Sequence, residues 1–350
     1  FANGKVTVAG DTAVAAPTER ATSSYTVDRS MGPVLSFNTY NDIFHFLGEP
    51  TYGNIEGEQG DWEFVITKLT EDSIFVKGKK WENEMVFTRM ADGVDWTSYL
   101  DSIADVQKRL GVNYSVGNSS DASKMVEINS ATRRILSRTA DGQMVEQPFY
   151  VTPTGIHAVN EPVALGEDKA QDFLVSKAGV LTAKDNKDLT LNSYAPSIDT
   201  WVGNWTLSAM QGSCDMTISK VEDQENMLKG TFTTGGYTYN IGLSYNPETG
   251  ALNLPSQLID DPSGRYPALW LMNADLNQGT LLGQGGMNVV WHGVSQEGDF
   301  EDDGTLASEG YASDTFIALA CTAKGEPIKE NGQYVFVIEW YYLSNLTPNK

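Results

Sequence analysis

Few side chains in this chain are equipped for chemistry. Three histidines, His45, His157 and His292, are spread over 350 residues, and no His-Glu-x-x-His pair marks a zinc peptidase. His45 stands in an apolar run with Ile43, Phe44, Phe46 and Leu47, where a hydrogen-bonded structural histidine is expected. His292 follows Trp291 and precedes Gly293 at a strand end, a place from which it can line a pocket mouth. No Gly-x-Ser-x-Gly elbow presents a nucleophilic serine, and no glycine-rich loop is spaced for nucleotide phosphates.

Carboxylates offer a second chemistry. Glycoside hydrolysis needs two carboxyl groups roughly 5–10 Å apart, one of them with a raised pKa. Glu63 and Glu339 each interrupt an apolar strand, though alternation can equally turn both to water. The acidic run Glu297-Gly298-Asp299-Phe300-Glu301-Asp302-Asp303-Gly304 offers a third. Asp299, Glu301 and Asp303 before Gly304 have the spacing of the first half of a calcium loop. The position that closes such a loop is Gly310, and no helices flank it, so a solvated acidic loop competes with the calcium reading.

Aromatic rings are the remaining candidates, because flat rings stack on sugars and small ligands as readily as they fill β cores. In Val335–Tyr342, alternation puts Phe336, Ile338, Trp340 and Tyr342 on a core face and Glu339 and Tyr341 on the other. The candidate ligand-binding set is therefore Tyr237, Tyr239, Trp270, Trp291, His292, Glu339 and Tyr341, with no catalytic set. The basic cluster Arg133, Arg134 and Arg138 reads as a solvated strand face paired with nearby acids rather than a phosphate site.

Mostly strands must hold these residues. In Gly60–Met90, Asp61–Ile66, Asp72–Lys77 and Glu84–Arg89 alternate and are linked by short polar turns, which specifies an antiparallel meander. One helix is encoded: Trp96, Tyr99, Leu100, Ile103, Val106 and Leu110 form a single stripe, with Asp95 as N-cap and Gly111 past its end. It is expected to pack on the meander or plug an open end of it. From Trp201 onward, eight or nine regularly spaced strands, with turns at Gly235-Gly236 and Asn246–Gly250, specify a small barrel or sandwich. The fold class expected is mainly β: two antiparallel domains, 1–195 with the helix at 96–110, and 199–350 as a lipocalin-like barrel.

Charge and cysteines bound the rest. The net charge of −22 disfavours nucleic acid and anionic membrane surfaces as partners. Residues 1–198 carry 18 basic and 27 acidic side chains, whereas 199–350 carry 6 and 19, so basic residues thin out near the Ala195-Pro196-Ser197 linker. Two cysteines, Cys214 and Cys321, have no Cys-x-x-Cys spacing, which argues against structural zinc. They are either one bridge or two free buried thiols, and the small core-like neighbours Ala318, Leu319 and Ala320 favour the free thiols. No run of 18 apolar residues spans a membrane. The chain starts at Phe1 beside strand-like residues, which leads to the expectation that a leader has been removed.

Gly32–Asn41 (Gly-Pro-Val-Leu-Ser-Phe-Asn-Thr-Tyr-Asn), then His45, then Gly60–Ile66, then Val76–Lys80 resemble, in order and spacing, a Bacteroidetes lipoprotein family known as domain of unknown function 4302. The resemblance is best over about 1–110; the second half resembles lipocalin-like barrels in style alone. It implies export, a lipid anchor at the outer membrane, and a setting beside nutrient-uptake proteins; it carries no catalytic residues. The expectation is a non-catalytic, monomeric envelope lipoprotein that binds a glycan, a peptide or a small molecule and needs no cofactor beyond a conceivable calcium ion. The alternatives are a glycan-active hydrolase and a structural subunit of an uptake complex.

Overall fold

A computed structural model describes residues 1–12, 15–29, 32–50 and 55–349. The chain is mainly β and divides into two compact units: Phe1–Arg109 with Val151–Gly155, and Leu110–Tyr150 with Ile156–Lys350. The passage near residue 195, where basic residues thin out, falls between two closed barrels that belong to the same unit.

The first unit holds a six-stranded antiparallel sheet whose strands lie in sequence order: Lys5–Val8, Ala21–Asp28, Val34–Phe37, Glu63–Leu69, Ser73–Gly78 and Glu84–Thr88. The last three are the meander, with Phe64 opposite Gly78 and Val76 opposite Met85. Alternation sends Val6, Leu35, Phe37, Phe64 and Val76 into one apolar cluster. The helix spans Trp96–Gln107, capped by the Asp95 carboxylate, which accepts from the Ser98 amide at 2.7 Å. It ends at Gln107 rather than reaching Leu110 and buries Leu100, Ile103 and Val106. Trp96, Tyr99 and Leu100 share with sheet residues Val6, Phe37 and Phe87 the walls of an apolar cavity of about 470 Å³.

The second unit begins with a closed eight-stranded barrel, all but its Val151–Gly155 hairpin tip lying in that unit, built from Asn113–Val116, Met125–Asn129, Arg134–Arg138, Met144–Thr152, Gly155–Ala158, Asp172–Val175, Leu181–Ala183 and Thr190–Ser193. Thr190–Ser193 returns to pair with Asn113–Val116, which shuts it. A second closed barrel follows: Gly203–Ala209, Gly212–Lys220, Met227–Thr234, Tyr237–Tyr245, Leu252–Pro255, Gly286–His292, Glu297–Asp302 and Asn345–Pro348. Its strand count matches the lipocalin-like reading. Between its fifth and sixth strands, and again before its last, the chain leaves to build a five-stranded sheet around Ala268–Asp275 and Thr315–Cys321.

Inward residues of this barrel and of that sheet merge into one packed cluster. Trp201 is wholly buried, with its indole N–H donating to Gly250 O at 2.8 Å, and Trp291 meets Trp201 and Trp205 nearly edge-on. Cys214 and Cys321 are unbridged, and burial pushes both thiols above their ordinary pKa. No helix among the described residues is long and apolar enough to cross a membrane.

Candidate functional site

Strand register builds one mixed-charge cleft inside the second unit. In the first barrel, Asn113 faces Glu127, Glu127 faces Leu136, and Leu136 faces Glu146 across four neighbouring strands. Directly opposed residues point to the same side of a sheet, so these four form one row. The flanking partners Tyr114 and Val126 are fully buried and belong to the opposite face. In the second barrel His292 faces Glu297, Val290 faces Asp299, and Asn288 faces Glu301, while Trp291, Val289 and Met287 fill the core on the other face. Glu127, Leu136 and Glu146 of the first row and His292, Glu297, Asp299 and Glu301 of the second wall a cleft of about 620 Å³, to which Leu110, Val112 and Arg134 also contribute.

His292 lines this cleft and contacts carboxylates from both barrels. Its Nδ1 is 3.2 Å from Glu127 Oε2, and its Nε2 is 3.3 Å from Asp299 Oδ2. The second contact has ion-pair distance without hydrogen-bond alignment, so Nε2 is buried and lacks a hydrogen bond. The hydrogen bond to Glu127 is the main cause of a His292 pKa above the ordinary imidazole value, opposed by burial and reinforced by the charges of Glu127, Asp299 and Glu301. Burial pushes the Asp299 carboxyl up; the imidazolium pulls it back.

Glu127, nine-tenths buried, does more than pair with His292. Its Oε1 accepts from the backbone N–H groups of Val294 and Ser295 at 2.5 and 3.0 Å. Asn113 holds the same hairpin from its other side, accepting from Gly293 N at 2.9 Å and donating to Trp291 O at 2.5 Å. Arg138 Nε donates to Val294 O at 2.9 Å, and Val294 itself is fully buried. A polar clasp therefore receives the turn that joins two strands of the second barrel.

The other expected site residues are scattered. Tyr239 is buried and stacks on Phe232 at 5.4 Å; its strand parity is that of Ile241 and Leu243, so it fills the core, as Trp291 does. Tyr237 is half exposed on the same strand. Trp270 lies on the opposite face from Leu269 and Leu271, paired with Leu258 and Leu319. Glu339 is exposed and accepts a hydrogen bond from the Tyr341 hydroxyl, which raises the pKa of that hydroxyl.

Asp299, Glu301 and Asp303 do not converge on a calcium ion. Glu297–Asp302 is an extended strand, along which alternate side chains stand about 7 Å apart. Asp299 faces His292, and Asp303 is bound to Asn253 and the Thr305 amide. Among the described residues no group of three His, Cys, Asp or Glu side chains is placed to hold a metal ion.

Glu63 is neutralised by Lys79 at 3.1 Å. His45 stacks on Trp62 at 5.5 Å, and His157 pairs with Asp172 at 3.0 Å. Glu127 and Asn113 were not among the candidates from sequence, although one signal was available. In Met125-Val126-Glu127-Ile128 an acid stands where both strand faces are apolar, which marks a carboxylate with a buried partner.

The topology defines a mainly antiparallel β protein that joins an open sheet to two closed barrels. The family model described as Domain of unknown function (DUF4302) matches residues 1–177, and the chain belongs to that family. The match covers the open sheet, the helix and the first barrel through Asp172–Val175, well beyond the motif-bearing first 110 residues. No curated protein and no solved structure matches the chain.

Proposed function

We propose that this protein is a non-catalytic lipoprotein of the cell envelope that binds a basic peptide segment in the cleft between its two barrels. The envelope setting rests on the family resemblance and the acidic composition. One observation supports the ligand class: aliphatic Leu110, Val112 and Leu136 share the cleft with Glu127, Glu146, Glu297, Asp299 and Glu301. A lysine or arginine side chain lays its methylenes on the former and its charge on the latter. Among the described residues no Trp, Tyr or Phe lines the cleft wall for a sugar face to stack on. The net charge of −22 adds long-range attraction for a cation.

Titration calorimetry of the full chain with arginine- and lysine-rich peptides, at low and high salt, tests this. The expectation is micromolar binding that weakens as salt rises and falls at least several-fold in Glu301→Gln. Binding of neutral glycans with no response to basic peptides overturns it.

A second reading has one observation in its favour. Asp299, a carboxyl with a raised pKa, shares His292 with the anchored carboxylate Glu127. Divergent environments for two carboxyl groups are the arrangement of an acid and base pair. Hydrolysis of a glycan or peptide that is abolished in Asp299→Asn would establish a hydrolase and displace the binding reading.

A further inference from the structure

We propose that His292 is a pH-dependent latch on the seam between the two barrels of the second unit, closed when the ring is protonated and loosened as that proton is lost. The seam concerns this chain alone and stands whether or not the cleft binds a peptide.

Its geometry is specific. The turn Gly293–Gln296 projects from the second barrel, and the first barrel's outward face receives it: Asn113 on Trp291 and Gly293, Glu127 on Val294 and Ser295, Arg138 on Val294. The contact is close, since a methyl group added at Gly293 would come within 2.5 Å of Met125 Sδ. The carboxylate that makes the central bonds is nine-tenths buried, and a buried anion needs a nearby cation as well as donors. Arg138 spends its Nε on a carbonyl, and Arg134 stands at the cleft wall. His292 is the cation that touches Glu127, at 3.2 Å.

The groups facing His292 set the direction of the switch. From the first barrel it meets Glu127, with Glu146 and Arg134 farther along the cleft; from its own barrel it meets Asp299, with Glu301 and Glu297 on the same strand. The anions outnumber the two arginines of the seam, Arg134 and Arg138. With both ring nitrogens protonated, Nδ1–H donates to Glu127 and Nε2–H faces Asp299. Removing one proton turns the Nε2 lone pair onto the Asp299 carboxylate and leaves Glu127 without its contacting cation. Protonation therefore favours the closed seam, in keeping with the upward shift of His292. A raised histidine contributes its full stabilisation below the ordinary value near pH 6.5 and loses it as pH climbs through the raised value. Asp299, also raised by burial, loses its contribution in the same direction, as pH climbs from the ordinary carboxylate range through its own raised value. Opening of the seam is thus expected to rise by up to about tenfold per pH unit over the interval between the ordinary and the raised histidine values.

Hydrogen exchange read by mass spectrometry on the full chain, without added ligand, tests the latch. Amide protection of peptides covering 293–296 and 125–129, corrected for the intrinsic rate, is compared from about pH 6 to about pH 9. Protection is expected to fall across that range in these two segments together, while the open sheet of the first unit keeps its own. His292→Gln should give one level of protection at every pH. Asp299→Asn, a change at a half-exposed position, should move the fall to lower pH by removing one anion that holds the proton. With three histidines in the chain, His292→Gln also assigns the ring resonance, whose titration midpoint should coincide with the loss of protection. Protection unchanged over the range, a fall that persists in His292→Gln, or a ring midpoint at or below the ordinary value overturns the proposal.

Discussion

Replacing Glu127 with alanine removes the central member of the clasp, and the cost follows from the atoms left behind. Val294 N and Ser295 N lose their acceptor, and each unsatisfied buried amide costs about 1–3 kcal/mol. The His292 ring loses its closest anion at the same time. The adjoining cleft admits water to part of the vacated space, which favours the lower half of those ranges. The expected total is about 3–5 kcal/mol, in the range for breaking one side of a buried pair. Glu127→Gln keeps one oxygen for both amides but gives up the charge and the oxygen that accepts from His292 Nδ1, so about 1–3 kcal/mol is expected. Urea unfolding followed by tryptophan fluorescence reads both, because Trp291 adjoins His292 and belongs to the barrel core. The midpoint should fall at unchanged slope. A loss below about 1 kcal/mol for Glu127→Ala, or equal losses for the two variants, would refute the assignment of the clasp energy to the two amides.

Two further outcomes are expected. A methyl group at Gly298 would come within 2.7 Å of Val289 Cγ1 and 2.8 Å of the fully buried Trp201 ring, so Gly298→Ala should cost about 1–3 kcal/mol in thermal unfolding. Gly293→Ala meets the flexible tip of Met125 instead and should cost less; the reverse order would contradict the packing. Thiol titration should find two reactive groups per chain after unfolding without reductant, and almost none at Cys321 in the native protein.

The strands were legible because their alternation is local. The meander, the turns at Gly235-Gly236 and Asn246–Gly250 and the capped helix each depend on neighbours in sequence. The helix stops at Gln107 although Leu110 continues its stripe, and a stripe does not record where the backbone turns away. Parity placed Ile338 and Trp340 in the core, but a register shift opposite Ala318 and Leu319 leaves Phe336 about half exposed, and Tyr342, past the strand end, is exposed as well. Parity also gives two faces without saying which one is covered. Tyr239 and Trp291 share parity with Ile241 and Val289, which sends them inward, away from any ligand. Glu127 and His292 are 165 residues apart, and nothing local in either segment names the other. What the sequence does carry is the anomaly of an acid in a doubly apolar strand. The calcium reading failed because the spacing of Asp299, Glu301 and Asp303 suits a loop that curls, and this segment instead pairs in register with Gly286–His292.

The closing strand of the second barrel governs how that barrel comes into being. Asn345–Pro348 bonds on one side to Gly203–Ala209 and on the other to Glu297–Asp302, and the Thr206 hydroxyl reaches Asn349 across 143 residues. Until it inserts, two strand edges stand open, each a row of unpaired amides and carbonyls ready to take up a strand from another molecule. Loop closure of that length is slow, whereas the first barrel closes over a much shorter span by pairing Ser193 with Tyr114. During synthesis the first barrel, with its clasp residues already in one row, can exist before the turn it receives has a barrel to project from. Assembly then has an order: the receptor half of the seam is complete first, and the late insertion of a four-residue strand both seals the second barrel and withdraws its edges from association.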